Sequence, residues 1–158
     1  MNLRIDWYAA LPVALLALAA GCAKPVLPPP PPSIVQVSLT AAPDLNPDAR
    51  GRPSPVVARL FELKTLAAFE GADFLSLIER DKDILATDLV AKEEIILQPG
   101  ETRAFKRELH ADTRFVAVLA AYRDIQRAHW RASMPVALNQ STAITIKVEK
   151  SAISIAPK

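Results

Sequence analysis

A β-sandwich of about eight short strands with one helical insertion is what this sequence predicts. Three observations lead there. Apolar and β-branched residues recur at every second position in most of the long runs, which is the period of strands that bury one face and wet the other. Between those runs Pro, Gly, Asn and Asp gather in clusters that neither strand nor helix can cross. The only cysteine, Cys22, lies upstream of the whole pattern, so the body has no disulfide to rely on and must be held by a packed core.

The elements follow in order. Val35, Val37 and Leu39 alternate with Gln36, Ser38 and Thr40, giving a half-buried first strand. The chain then turns through Pro43-Asp44-Leu45-Asn46-Pro47-Asp48-Ala49-Arg50-Gly51-Arg52-Pro53. Val56 to Leu63 resumes a β-rich run. After it the period changes: Thr65 is placed to cap a short helix over Leu66 to Phe69, Gly71 interrupts, and Asp73 is placed to cap a second over Phe74 to Glu79. Phe74 and Ile78 share a face, which should close one end or side of the sandwich. Strands are expected over Glu93 to Gln98, Thr102 to His110, Arg114 to Arg123, His129 to Val136, Thr142 to Glu149 and Ala152 to Ala156, with Pro99-Gly100 turning between the first two. Two are clean alternations: Trp130, Ala132, Met134 and Val136 against His129, Arg131 and Ser133, and Ile144, Ile146 and Val148 against Thr145 and Lys147. Phe115 to Ala121 has no polar alternation, so it should be central and covered on both faces.

The amino-terminal segment is organised differently. Arg4 precedes an apolar stretch, Ala9 to Ala20, too short for a permanent bilayer span but long enough for an export signal. Leu18-Ala19-Ala20-Gly21-Cys22 resembles a bacterial lipobox, in which the cysteine thiol is diacylglycerylated, the preceding peptide is removed and the new amino terminus is acylated. Residues 1–21 are then a lipoprotein signal peptide, with Cys22 as the lipidation site. A secretory signal cut nearby or an uncleaved weak anchor are the alternatives. Ala23 stands where lipoproteins kept in the inner membrane commonly carry Asp, which by the same resemblance directs the chain to the periplasmic face of the outer membrane. Residues 22–33 form an acylated, Pro-rich tether. Five prolines, Pro28 to Pro32, fix φ and remove amide donors, so the segment stays extended. The eleven residues between Cys22 and Ile34 reach roughly 34 Å at about 3.1 Å each. A proline run also suits aromatic grooves on a partner. Residues 34–158 are the size of one domain.

The order of motifs in that domain resembles the TssJ family, the lipoprotein component of bacterial type VI secretion systems. The residues carrying the resemblance are Asn46-Pro47-Asp48, the run Gly51 to Lys64, Phe69 with Ala72-Asp73-Phe74, Leu97-Gln98-Pro99-Gly100, Val118 to Asp124, and Trp130-Arg131. The resemblance implies a transthyretin-like β-sandwich with a small helical addition. It also implies a structural role, anchored in the outer membrane and bound to the periplasmic domain of the large inner-membrane protein TssM. In that family the loop joining the first two strands meets TssM. Here it runs from about Ala42 to Pro55, so the implied contact residues are Asp44, Asn46, Asp48, Arg50 and Arg52.

Other chemistries lack their residues. The net charge is +2, with basic residues scattered and no repeated aromatic partner, which argues against nucleic acid. Asp44-Leu45-Asn46-Pro47-Asp48 opens like a calcium loop, but Ala49 stands where glycine is needed and Pro55 where the bidentate glutamate belongs. His110 and His129 are the only histidines, too few for a closed zinc site without carboxylates, and are expected at the surface. No Gly-x-Ser-x-Gly segment occurs, and the pairs Asp81/Asp83 and Glu93/Glu94 read as solvated acids. No enzyme, cofactor, metal or small-molecule substrate is expected. The competing reading is a periplasmic binding module for a small ligand or cell-wall glycan. It would need a platform such as Tyr122 and Trp130, which sit among apolar neighbours and are expected in the core.

Overall fold

The computed structural model describes residues 28–158. The signal segment, Cys22 and the start of the tether lie outside the described residues. The elements are β1 (Ile34–Ala41), β2 (Val56–Leu63), α1 (Ala67–Gly71), α2 (Phe74–Leu85), a 3₁₀ turn (Ala86–Asp88), β3 (Leu89–Leu97), β4 (Thr102–Glu108), β5 (Phe115–Ala120), β6 (Arg131–Pro135), β7 (Ser141–Val148) and β8 (Ile153–Pro157). They form two four-stranded sheets, ordered β4-β1-β7-β8 and β3-β2-β5-β6. Strand β1 runs antiparallel to β4 and parallel to β7.

The interior between the sheets is built by the alternating positions. Val35, Val37 and Leu39 with Ile144, Ile146 and Val148 face Val56, Ala58 and Leu60 with Val116, Val118 and Ala120. The intervening residues of β2 and β5, Phe61, Leu63, Ala117 and Leu119, point the other way and meet Phe69, Leu77 and Leu85 of the helices. Strand β5 is therefore apolar throughout because both of its faces are covered, as its sequence predicts. The helices cover the outer face of the second sheet rather than an end. Phe61, Leu63, Phe69, Leu77, Leu85 and Leu119 are at most 1% exposed, and each such side chain stabilises the layer by about 1.5–3 kcal/mol.

Two arginines of the second sheet hold the helices by their carbonyl ends. Arg131 Nη1 donates to the carbonyls of Phe69 (2.9 Å) and Ala72 (2.7 Å), closing α1. Helix α2 breaks at Arg80 (φ −134°, ψ 35°), close to the Glu79 limit expected from sequence. Arg59 Nη1 supplies the carbonyls of Leu77 (3.2 Å) and Ile78 (2.7 Å) just before the break. Asp73 caps α2 as expected, its carboxylate accepting from the Ser76 amide at 2.9 Å.

Several expectations are corrected. Thr65 does not cap α1; Leu66 occupies the N-cap without a side-chain bond, and the Thr65 hydroxyl donates to Asp88 Oδ2 at 3.0 Å. Strand β3 begins at Leu89, four residues before the expected start, and pairs with β2 across an irregularity at Glu62/Leu63. The strand was hidden because Ala86 ends α2 with φ 44°, a conformation usually marked by glycine. Strand β6 is shorter than expected and lies at a sheet edge, with Arg131 to Met134 all half-buried, so its alternation does not separate a dry face from a wet one. His129 makes only an isolated bridge to Ala152.

Asp81 is not a solvated acid. It is 5% exposed and accepts from Lys92 Nζ and, at 3.3 Å, from Arg59 Nη1. Arg59 also pairs with Glu94 at 2.8 Å, so four charges tie α2 to the sheet. Glu93 is paired as well, with Arg107.

Candidate functional site

The connections gather at two opposite ends. The tether enters at Ile34, whose partners are Glu108 and Ser141, so the 109–114 and 136–140 connections lie at that end. At the other end Ala41 stands beside Val148, Thr40 beside Thr102, Val56 beside Leu97, and Ala58 beside Ala120. The β1–β2, β3–β4, β5–β6 and β7–β8 connections therefore crowd together at the end away from the tether. Eight residues of β1 at about 3.3 Å each separate the two ends by roughly 26 Å.

The β1–β2 loop is folded on itself rather than loose. Leu45 is 0% exposed and anchors it to the sandwich interior. Asp48 shapes the turn: Oδ1 accepts from the amides of Arg50 (2.8 Å) and Arg52 (3.0 Å), while Oδ2 accepts from Arg52 Nε (2.7 Å). The Arg52 amide first, and then its guanidinium, hold the Asp48 carboxyl below the usual carboxylate range. Gly51, at φ 77°, supplies the left-handed residue the reversal needs.

Asn46 was expected at a partner surface and is instead 4% exposed. Its Nδ2 donates to the Pro55 carbonyl (2.8 Å), its Oδ1 accepts from the Arg123 amide (2.9 Å) and its own amide donates to the Lys150 carbonyl (3.1 Å). Its φ of 46° is one that asparagine tolerates. One residue, through its side chain and its own amide, thus joins three connections. Of the other candidates, Asp44, Arg50 and Arg52 are exposed, whereas Asp48 is largely consumed within the loop. Among the described residues the Arg50 guanidinium has no carboxylate within ion-pair distance.

Tyr122 completes the lock. It is 5% exposed, and its hydroxyl donates to the Ala152 carbonyl at 2.6 Å, with the Glu149 carbonyl at 3.1 Å. Trp130 packs edge-on against Phe74 and lies under the Arg131 guanidinium, 4.6 Å from the ring centroid. Tyr122 is thus buried as expected, whereas Trp130 is only half-buried, covered in part by Phe74 and Arg131. Burial, with the Glu149 charge adding to it, pushes the Tyr122 phenol well above its ordinary value. The sign follows: stability from this group is complete below the unfolded tyrosine value near pH ~10 and is lost as pH rises through the folded value. Urea unfolding from about pH 8 to about pH 11 should show an alkaline decline that Tyr122→Phe flattens, with about 1 kcal/mol lost at neutral pH. An identical decline in that variant would contradict the assignment.

Buried Glu62 was not foreseen. At 2% exposure it accepts from the His110 amide (3.1 Å) and Thr113 Oγ1 (2.8 Å), bracing the 109–114 connection at the tether end. His110 and His129 are exposed.

Residues 33–151 match the family model described as type VI secretion lipoprotein, VasD, EvfM, TssJ. Among solved structures, the type VI secretion lipoprotein TssJ1 from Pseudomonas aeruginosa is 40% identical, with a TM-score of 0.79 over 81% of this chain and 98% of that one. Serratia marcescens Lip, a membrane-bound component of the type VI secretion system, is 25% identical, with a TM-score of 0.71 over 80% and 98%. A chain of a type VI membrane complex is 27% identical, with a TM-score of 0.68 over 79% and 98%. No curated protein sequence matches significantly.

Proposed function

The chain belongs to the TssJ family of type VI secretion lipoproteins, and from that premise we propose that it is the outer-membrane-anchored, non-catalytic lipoprotein of a trans-envelope complex. Cys22, once acylated, holds it in the inner leaflet of the outer membrane, and the Pro-rich tether carries the sandwich into the periplasm. The end away from the tether then faces the inner membrane, where it binds the periplasmic domain of a TssM-like protein. The β1–β2 loop, with Asp44, Asp48, Arg50 and Arg52, belongs to that contact.

The observation that carries this reading is the polarity of the body. The tether joins the first residue of β1, and the β1–β2 loop leaves from its last. A rigid strand thus stands between anchor and loop, so membrane attachment and partner binding do not compete for space. The loop is also pre-ordered by Asp48 and Asn46, which reduces the conformational entropy lost on docking.

The test is co-purification of the detergent-solubilised lipoprotein with the periplasmic domain of the TssM-like protein from the same organism. A stoichiometric complex is expected, and charge reversal at both Arg50 and Arg52 should weaken it. Failure of the unaltered proteins to associate would refute the reading.

A further inference from the structure

Three connections at the distal end behave as one surface. Asn46 ties the β1–β2 loop to the β5–β6 connection through the Arg123 amide and to the β7–β8 turn through the Lys150 carbonyl. Tyr122 ties β5–β6 to β7–β8 a second time, and the His129 amide donates to the Ser151 carbonyl at 2.9 Å. Between these connections lies a cleft of about 290 Å³, whose polar lining includes Asn46, Asp48, Tyr122, Asp124, Arg127 and Lys150.

What the cleft offers an incoming group is decided by which of its polar atoms are already engaged. Asn46 and the Tyr122 hydroxyl are satisfied inside the protein. Asp48 accepts two amides and a guanidinium, and Arg123 adds a further positive charge nearby. Among the described residues Lys150 has no carboxylate within ion-pair distance. Arg127 meets Asp124 only at 3.8 Å, with the two side chains 87% and 59% exposed, a contact worth little in water. Glu149, the other acid of the β7–β8 turn, is exposed and does not line the cleft. An entering cation would find only Asp124, whereas an entering carboxylate finds an ammonium and a guanidinium ready to donate.

We propose that the docking surface is composite, and that an acidic segment of the partner's periplasmic domain enters this cleft and places a carboxylate on Lys150 and Arg127. This deepens the function proposed above and rests on it. The β1–β2 loop forms one wall, Asn46 holds that wall in register, and the selective charges come from the two neighbouring connections.

The test measures affinity of the whole detergent-solubilised lipoprotein for the partner's periplasmic domain at low and moderate salt. One variant carries Arg127→Glu with Lys150→Glu. Its control carries Lys106→Glu with Lys147→Glu, the same charge change on the outer face of the first sheet. The cleft variant should bind about tenfold more weakly or worse and lose most of its salt dependence, while the control stays within about twofold. Equal weakening in both would assign the effect to overall charge and overturn the proposal. So would full affinity in the cleft variant, a result that leaves the partner assignment standing. No binding by the unaltered protein would instead remove the functional reading itself, and this inference with it.

Discussion

Cys22→Ser is expected to release the protein into the soluble periplasmic fraction and to reduce type VI secretion to the level of a strain lacking it. The first effect follows from partition: each buried lipid methylene contributes about 0.8 kcal/mol, so several acyl chains hold a small body on the membrane essentially permanently, and without them nothing comparable remains. Among the described residues no helix is long and apolar enough to cross a membrane. The second effect follows from geometry. A body bound only at its distal end transmits no force to the outer membrane, however well its loops fit the partner. Fractionation and assay of secreted protein in the medium read the two effects separately. A soluble variant that still secretes would contradict the anchoring role, whereas a variant whose mass still includes acyl chains would contradict Cys22 as the lipidation site. The folded body should be untouched, because Cys22 precedes the first strand by the length of the tether.

The legible parts of this fold were those in which one physical rule acts alone. In β7 the alternation of Ile144, Ile146 and Val148 with Thr145 and Lys147 reports a single dry face, and the sheet places it so. The double burial of β5 was legible for the converse reason, since nothing polar interrupts it. What escaped was residues acting through tertiary partners. Asp81 sits in the run Glu79-Arg80-Asp81-Lys82-Asp83, which looks solvated, and only the position of β2 and β3 brings Arg59 and Lys92 to it. Glu62 left a usable signal: it is in phase with Ala58 and Leu60 of a strand that otherwise turns apolar side chains inward, and an acid there requires donors. Its donors come from His110 and Thr113, about fifty residues away in sequence.

The candidate site divides in the same way. The β1–β2 loop could be located because Pro, Asn, Asp and Gly mark it, but its composition does not say which polar side chains face outward. Asn46 and Asp48 look like tips and serve as internal ties, while Lys150 and Arg127 belong to connections that no local pattern links to the loop.

Arg59→Ala should produce the largest loss of stability among substitutions outside the apolar core. Its side chain is 15% exposed and serves Asp81, Glu94 and the carbonyls of Leu77 and Ile78 together. Truncation leaves the buried Asp81 carboxylate with Lys92 alone and strips the α2 break of its donor. Removing one member of a buried charge group costs about 3–5 kcal/mol, corresponding to a fall in Tm on the order of 10 °C or more. The cost belongs to the partner left behind, so it is non-additive: Arg59→Met combined with Asp81→Leu should recover part of the loss, because no buried charge then lacks a counter-charge. Lys92 keeps its own way out, since its side chain is 34% exposed and can turn to water. Thermal unfolding of the two single variants and the double variant forms the required cycle. A double variant as unstable as the sum of the singles would show that α2 is held by apolar packing, with the ion network contributing nothing of its own.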